Sequence, residues 1–306
     1  MTTVAFLGLG HMGLPMAANL VRAGYSVAGF DVVPAALDSA REVGIATAAT
    51  AVDAVADTSI VITMFPSGKH VLDALTGADG TAGLLATVVP GTLFIECSTI
   101  AVDEARAAHD VVEAAGCRMI DAPVSGGVVG AEAGTLAFMV GGADADVADA
   151  MPLLEVMGRR IVHCGGAGLG QAAKVCNNMI LGVTQIAVAE AFVLGERLGL
   201  SHEALFDVAA NASGQCWALT TNCPVPGPVP ASPANRDYAP GFAGALMSKD
   251  LGLAEAAVTA SGVSARMGML AREIYRDFAE GAGGGRDFSA IIETVREESA
   301  QPGGTR

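Results

Sequence analysis

Short apolar runs alternate with longer amphipathic stretches through the first half of the chain. Val4-Ala5-Phe6-Leu7 predicts a strand, residues 14–23 a helix and residues 25–30 a second strand. The alternation continues with strands over 59–65, 92–97, 118–120, 136–140 and 160–164 and helices over 71–75, 102–115 and 147–157. Such an order predicts an α/β domain with a mostly parallel, doubly wound sheet. After residue 164 the pattern changes. A helical period runs unbroken to about residue 198 and returns over 202–212, 243–260, 265–280 and 288–299, with no convincing strand. Residues 223–241 are rich in Pro and Gly and read as an irregular loop. The expected organisation is a sheet domain over 1–164, an all-helical domain over 165–300, a long helix joining the two, and a disordered tail over 301–306.

Composition narrows the class. The chain has 306 residues, enough for about two domains. It is 52% hydrophobic but only 5% aromatic, so its core is built mainly of aliphatic side chains. A formal charge of −15 argues against nucleic acid or anionic membranes as partners. Mean hydropathy is positive, yet the best candidate span, residues 179–195, contains Thr184, Gln185 and Glu190 and falls short of about twenty apolar residues. It reads as a buried helix whose cover calls for a homodimer or homotetramer. With a strand beginning near residue 3 and no leader pattern, the expected location is cytoplasmic. Cys97, Cys117, Cys164, Cys176, Cys216 and Cys223 show no CxxC spacing and read as reduced, buried residues; the five histidines never fall at i, i+4, so no metal site is expected.

The first strand and helix enclose Gly8-Leu9-Gly10-His11-Met12-Gly13, and the second strand ends on Asp31. Gly8 permits a sharp turn, Gly10 lets the backbone approach a pyrophosphate, and Gly13 lets helix and strand pack closely. The helix N-terminus then offers N–H groups and a positive dipole end to the phosphates. A carboxylate at Asp31 can accept hydrogen bonds from a ribose 2′-hydroxyl and would repel a 2′-phosphate, which favours NAD. In this strand–turn–helix context the motif makes the first domain Rossmann-type.

Against fourteen arginines the chain has only three lysines, Lys69, Lys174 and Lys249. Lys174 lies just inside the long helix, with Asn178 at i+4 and Gln171 at i−3 on the same face. A lysine desolvated at the domain junction could have its pKa lowered toward about 7–8 and serve as an acid/base; a solvated surface charge is the bland alternative. Asp121-Ala122-Pro123-Val124-Ser125-Gly126-Gly127 follows a short strand, and its hydroxyl and paired-glycine N–H groups could hold a small carboxylate; standing alone, the motif is more often an ordinary Ser-Gly-Gly turn. Thr99 and the Phe65-Pro66 pair end strands at the ligand edge of the sheet, and Lys249-Asp250 falls near the start of a helix.

In this order the motifs resemble those of the β-hydroxyacid dehydrogenase family. The resemblance runs over nearly the whole chain, through residues 8–13 with Asp31, Met64-Phe65-Pro66, Ser98-Thr99, residues 121–127, residues 170–178 and Leu246-Met247-Ser248-Lys249-Asp250-Leu251. Cys216-Trp217 and Asn222-Cys223-Pro224-Val225-Pro226-Gly227 look specific to its hydroxyisobutyrate branch. The resemblance implies NAD-dependent oxidation of 3-hydroxyisobutyrate to methylmalonate semialdehyde, a step of valine catabolism. It makes Lys174 the catalytic acid/base, with Ser125, Gly126, Gly127 and Asn178 binding substrate. It makes Gly8, Leu9, Gly10, His11, Met12, Gly13, Asp31, Phe65, Pro66, His70, Thr99 and Lys249 cofactor residues. At position 70 relatives often carry Asn. A reductase for tartronate semialdehyde, glyoxylate or succinate semialdehyde would use the same apparatus, and a non-catalytic nucleotide-binding module would need neither Lys174 nor the Ser-Gly-Gly turn.

Overall fold

The computed structural model describes residues 3–78 and 80–300; the tail expected over 301–306 lies outside them. The strands are β1 (Thr3–Leu7), β2 (Ser26–Phe30), β3 (Ala46–Thr47), β4 (Ile60–Thr63), β5 (Leu93–Glu96), β6 (Arg118–Asp121), β7 (Val124–Ser125), β8 (Leu136–Gly141) and β9 (Gly158–Gly165). The helices are α1 (Gly13–Arg22), α2 (Pro34–Glu42), α3 (Ala51–Val55), α4 (Gly68–Thr76), α5 (Val102–Ala114), α6 (Gly127–Ala133), α7 (Asp144–Met157), α8 (Leu169–Leu198), α9 (His202–Ala210), α10 (Trp217–Thr220), α11 (Gly244–Ser261), α12 (Arg266–Phe278) and α13 (Ile291–Ala300).

All nine strands join one sheet in the order β3-β2-β1-β4-β5-β6-β8-β7, with β9 on β8. From β3 to β6 every pairing is parallel, while β8 runs antiparallel to β6 and β7. The alternation within β1 shows why the sheet is wound on both faces. Val4 and Phe6 enter one apolar layer with Met16 and Leu20 of α1 and Leu153 of α7. Ala5 and Leu7 enter the other with Val71 of α4 and Val112 of α5. A strand buried on both faces needs an unbroken apolar run, which is what residues 4–7 supply.

Contacts divide the chain into two compact units, the first ending at Lys174 and the second starting at Val175. By contacts this break falls inside α8, whose first turns are hydrogen-bonded to the sheet (below). The second unit is helical around its own core, in which Phe192, Met247, Leu251, Tyr275 and Phe288 are buried. Among the described residues α8 is the one helix long and apolar enough to cross a membrane, and half of its most apolar window is buried inside the protein.

Several elements escaped the hydrophobic pattern. The stretch from α2 to α3 is built of short elements, and α2 fully buries Ala40 alone, so it carries little periodic signal. Ser125-Gly126-Gly127 reads as a turn in the sequence, yet Gly127 already begins α6. The cysteines also diverge from expectation: Cys97, Cys117 and Cys223 are buried, but Cys164 and Cys216 are partly exposed and Cys176 is exposed, on the solvent side of α8.

Candidate active site

In the first unit the predicted residues gather at the carboxyl ends of β1, β4, β5 and β6. The register puts Thr63 beside Glu96 and Glu96 beside Asp121. Strands β4, β5 and β6 thus each end on a polar side chain, and all three side chains are buried. A row of buried polar groups at the carboxyl edge of a parallel sheet marks where such folds take ligands.

The glycine turn fits a dinucleotide for reasons the packing makes explicit. A Cβ on Gly8 would lie 2.2 Å from the Met64 carbonyl oxygen, and one on Gly13 would lie 1.9 Å from that of Gly8. Those two glycines are demanded by the protein's own close approach, and Gly8 also sits at φ +91°. Gly10 is different: a Cβ there would meet nothing within 4 Å. Its side is open and exposed, and no side chain caps the N-terminus of α1, so the turn keeps space and N–H donors for an anionic ligand. Leu9 donates its N–H to Asp31 Oδ2 at 2.7 Å and Val33 donates to Oδ1 at 2.8 Å. These bonds lock the acid against the turn and leave it lone pairs for ribose hydroxyls. His11 and Met12 complete the turn, with His11 exposed.

The next two loops are tied to each other. Phe65 donates its N–H to Ser98 Oγ at 2.7 Å, which joins the Phe65-Pro66 turn to Ser98-Thr99. His70 lies exposed on α4, its Nδ1 2.8 Å from Ser67 Oγ. Below this pair sits Glu96, hydrogen-bonded to Thr63 Oγ1 and to the Ser98 N–H. Burial pushes the Glu96 carboxyl up to about 7 from an ordinary 4.5, against the opposing hydrogen bonds of Ser98 and Thr63, with Asp121 adding to the rise.

The stability consequence has a definite sign. Between pH 4.5 and 7 the folded protein keeps a proton that the unfolded chain has released. The stabilisation is complete below the unfolded value and is lost as pH rises through the folded one, on the order of 3 kcal/mol in all. Glu96→Gln is expected to flatten the fall of Tm between pH 4.5 and 7. Parallel Tm–pH profiles for parent and variant would rule the assignment out.

Lys174 is buried at 7% exposure, and its Nζ donates to the Val124 carbonyl oxygen at 2.8 Å. The next residue is Ser125, followed by Gly126 at φ +133° and Gly127 at φ +61°. The structure therefore brings Lys174 to the Ser-Gly-Gly segment, which is a strand-to-helix junction between β7 and α6. Gln171, expected to share a ligand-facing side with Lys174, is instead spent on the protein: Nε2 donates to the Ser98 carbonyl at 2.7 Å and Oε1 accepts from the Ile100 N–H. Asp121 was missed as a site residue. Its fully buried carboxylate accepts N–H bonds from Gly168 and Gln171 and contacts His109.

In the second unit Asn178 donates from Nδ2 to Asp250 Oδ2 at 2.5 Å, and Lys249 Nζ lies 3.9 Å from Asp250 Oδ1. Asp250 thus joins the two predicted residues. The helix expected over 243–260 starts at Gly244, which puts Lys249-Asp250 in its second turn with Asp250 buried. Among the described residues no cluster of His, Cys, Asp or Glu could hold a metal ion.

Comparison with known proteins matches these features. A family model described as the NAD binding domain of 6-phosphogluconate dehydrogenase covers residues 3–166, and one described as NAD-binding of NADP-dependent 3-hydroxyisobutyrate dehydrogenase covers 168–295. The solved structure of Mycobacterium tuberculosis 3-hydroxyisobutyrate dehydrogenase with L-serine is 56% identical, with a TM-score of 0.92 over 97% of this chain and 99% of that one. A 3-hydroxyisobutyrate dehydrogenase of Pseudomonas aeruginosa is 46% identical over 97% of this chain and 99% of its own. The NAD-dependent L-serine dehydrogenase of the same organism is 48% identical over 95% of this chain and 97% of its own.

Proposed function

The chain belongs to the β-hydroxyacid dehydrogenase family, and from that membership we propose that it oxidises 3-hydroxyisobutyrate to methylmalonate semialdehyde, with Lys174 as the acid/base. Membership itself makes it an NAD-dependent hydroxyacid dehydrogenase with a nicotinamide dinucleotide cofactor. The substrate and the residue roles are the proposal. The observation that carries it is the buried Lys174 amine, held on the carbonyl that immediately precedes Ser125.

The substrate carboxylate is received by the Ser125 hydroxyl and the backbone N–H groups of Gly126 and Gly127, without a net positive charge. That anchors the acid end beside Lys174. Burial favours the neutral form of an amine, and a neutral Lys174 takes the hydroxyl proton of the alcohol. In the reverse direction its ammonium returns that proton to the carbonyl oxygen. The cofactor, when bound, supplies the hydride acceptor. Asn178, one helical turn beyond Lys174, helps to position the hydroxyl, its amide oriented by Asp250. In the same reading Lys249 serves the cofactor. Self-association belongs to the same proposal: Ile180, Leu194 and Leu198 on α8 are each at least 60% exposed in the single chain.

A second reading has its own support. L-serine is 3-hydroxyisobutyrate with an ammonium in place of the methyl group, and a 48%-identical relative is named for it. The same lysine and Ser-Gly-Gly segment suit both compounds, so the side group decides. A methyl group matched to an apolar pocket is worth about 10–200-fold. Values of kcat/KM for (S)-3-hydroxyisobutyrate, L-serine, D-glycerate and 4-hydroxybutyrate, with NAD and with NADP, are expected to rank hydroxyisobutyrate with NAD first. A preference for L-serine would transfer the assignment to the second reading. Tight NADH binding without turnover on any of the four would reject both.

A further inference from the structure

Asp121 is fully buried, and its carboxylate is committed on three sides. Oδ1 accepts the Gly168 N–H at 2.8 Å and lies 3.1 Å from His109 Nε2; Oδ2 accepts the Gln171 N–H at 2.9 Å. Two of the three donors belong to the entry of α8, where backbone N–H groups lack partners within the helix. A carboxylate there is also favoured by the helix dipole. The approach is close on every side. A Cβ on Gly170 would lie 2.7 Å from Asp121 Oδ2, and one on Gly141 would lie 2.5 Å from Oδ1. Gly141 and Gly170 thus leave room for the acid, and Gly170 also for the Met139 carbonyl oxygen, 2.4 Å from such a Cβ. Gln171 adds a second tie, through its side chain, to Ser98 and Ile100. Lys174 follows Gln171 by three residues, on the same side of the helix.

We infer that Asp121 is a positioning residue: by seating the first turn of α8 on the end of β6 it sets the height and rotation at which Lys174 presents its amine beside Ser125. The inference rests on the proposed role of Lys174. An acid/base group loses much of its effect when displaced by a fraction of an ångström to one ångström. Asparagine at 121 would keep one acceptor atom but turn an amide N–H toward a backbone N–H, so the helix entry must shift. The titratable groups around the carboxylate are His109 from α5, Glu96, its neighbour on β5, and Cys164 in β9.

The test is a double-mutant cycle on the full chain, with kcat and NADH affinity measured for the parent, Asp121→Asn, Lys174→Ala and the double variant. The expected result is a fall in kcat of about 10- to 100-fold for Asp121→Asn, NADH affinity unchanged, and no further loss when Asp121→Asn is added to Lys174→Ala. If the two losses multiply, Asp121 does not act through Lys174 and the inference is overturned. A Lys174→Ala variant with near-parental kcat would instead overturn the role of Lys174 itself. Should Asp121→Asn not fold, His109→Gln takes its place in the cycle. It disturbs the third contact alone and is expected to give a smaller loss that again vanishes in the Lys174→Ala background; a loss that persists there is contrary to the inference.

Discussion

Lys174→Ala is expected to lower kcat by about 10²–10⁴, the range for loss of a positioned acid/base, while NADH binding measured by fluorescence stays at the parental value. Two features of the site make this separation possible. The amine bonds to a carbonyl in the Val124–Ser125 strand, whereas the glycine turn is held by its own contacts with Met64 and Asp31. Truncation also leaves the Val124 carbonyl without that donor, at a cost of about 1–3 kcal/mol. The comparison therefore includes Lys174→Met, which fills the space and lacks the proton. If Lys174 is the base, the oxidation rate of the parent is expected to rise with pH and that of both variants is not. A Lys174→Met enzyme that keeps that rise would remove Lys174 from the chemistry.

The second large effect separates two glycines of one turn. Gly13→Ala would force a methyl group to 1.9 Å from the Gly8 carbonyl oxygen, so α1 must move away from β1. Overpacking of this severity is expected to cost about 3 kcal/mol or more and to abolish NADH binding with it. Gly10→Ala meets no protein atom within 4 Å. Its stability is expected to stay within about 0.5 kcal/mol of the parent, while NADH affinity falls at least about tenfold, because the methyl group occupies the space through which a pyrophosphate approaches the backbone. Thermal unfolding and NADH titration of the two variants give both readouts. A Gly10→Ala protein that binds NADH normally would show that the open side of the turn is not where the cofactor lies.

Both experiments bear on residues visible in the linear chain. The glycine turn and Asp31 are separated by a strand–helix–strand unit whose spacing is fixed by local geometry, so their juxtaposition follows once the period of each element is read. Lys174 and Ser125 were nominated separately, by rarity and by turn chemistry, and the family resemblance joined them. Gln171 shows the limit of helical spacing: sharing a face with Lys174 made it a candidate, but that face is one on which the sheet loop of Ser98 competes for its amide. Glu96 and Asp121 carry no predicted role, since an acid at the end of an apolar strand looks the same in sequence whether it faces water or is buried.

The amino-acid order alone thus determined the alternation of strands and helices, the change to an all-helical second half, the dinucleotide turn and the residues that mark the family. Each depends on neighbours within a few positions or on a period of two or 3.6 residues. Tertiary structure decided the rest. It put Thr63, Glu96 and Asp121 side by side across three strands, gave Asp121 partners 47 and 50 residues away, and raised the pKa of Glu96 by removing it from water. The reason is that the desolvation of a buried charge and its hydrogen-bond partners are set by groups distant in sequence, which no local periodicity encodes.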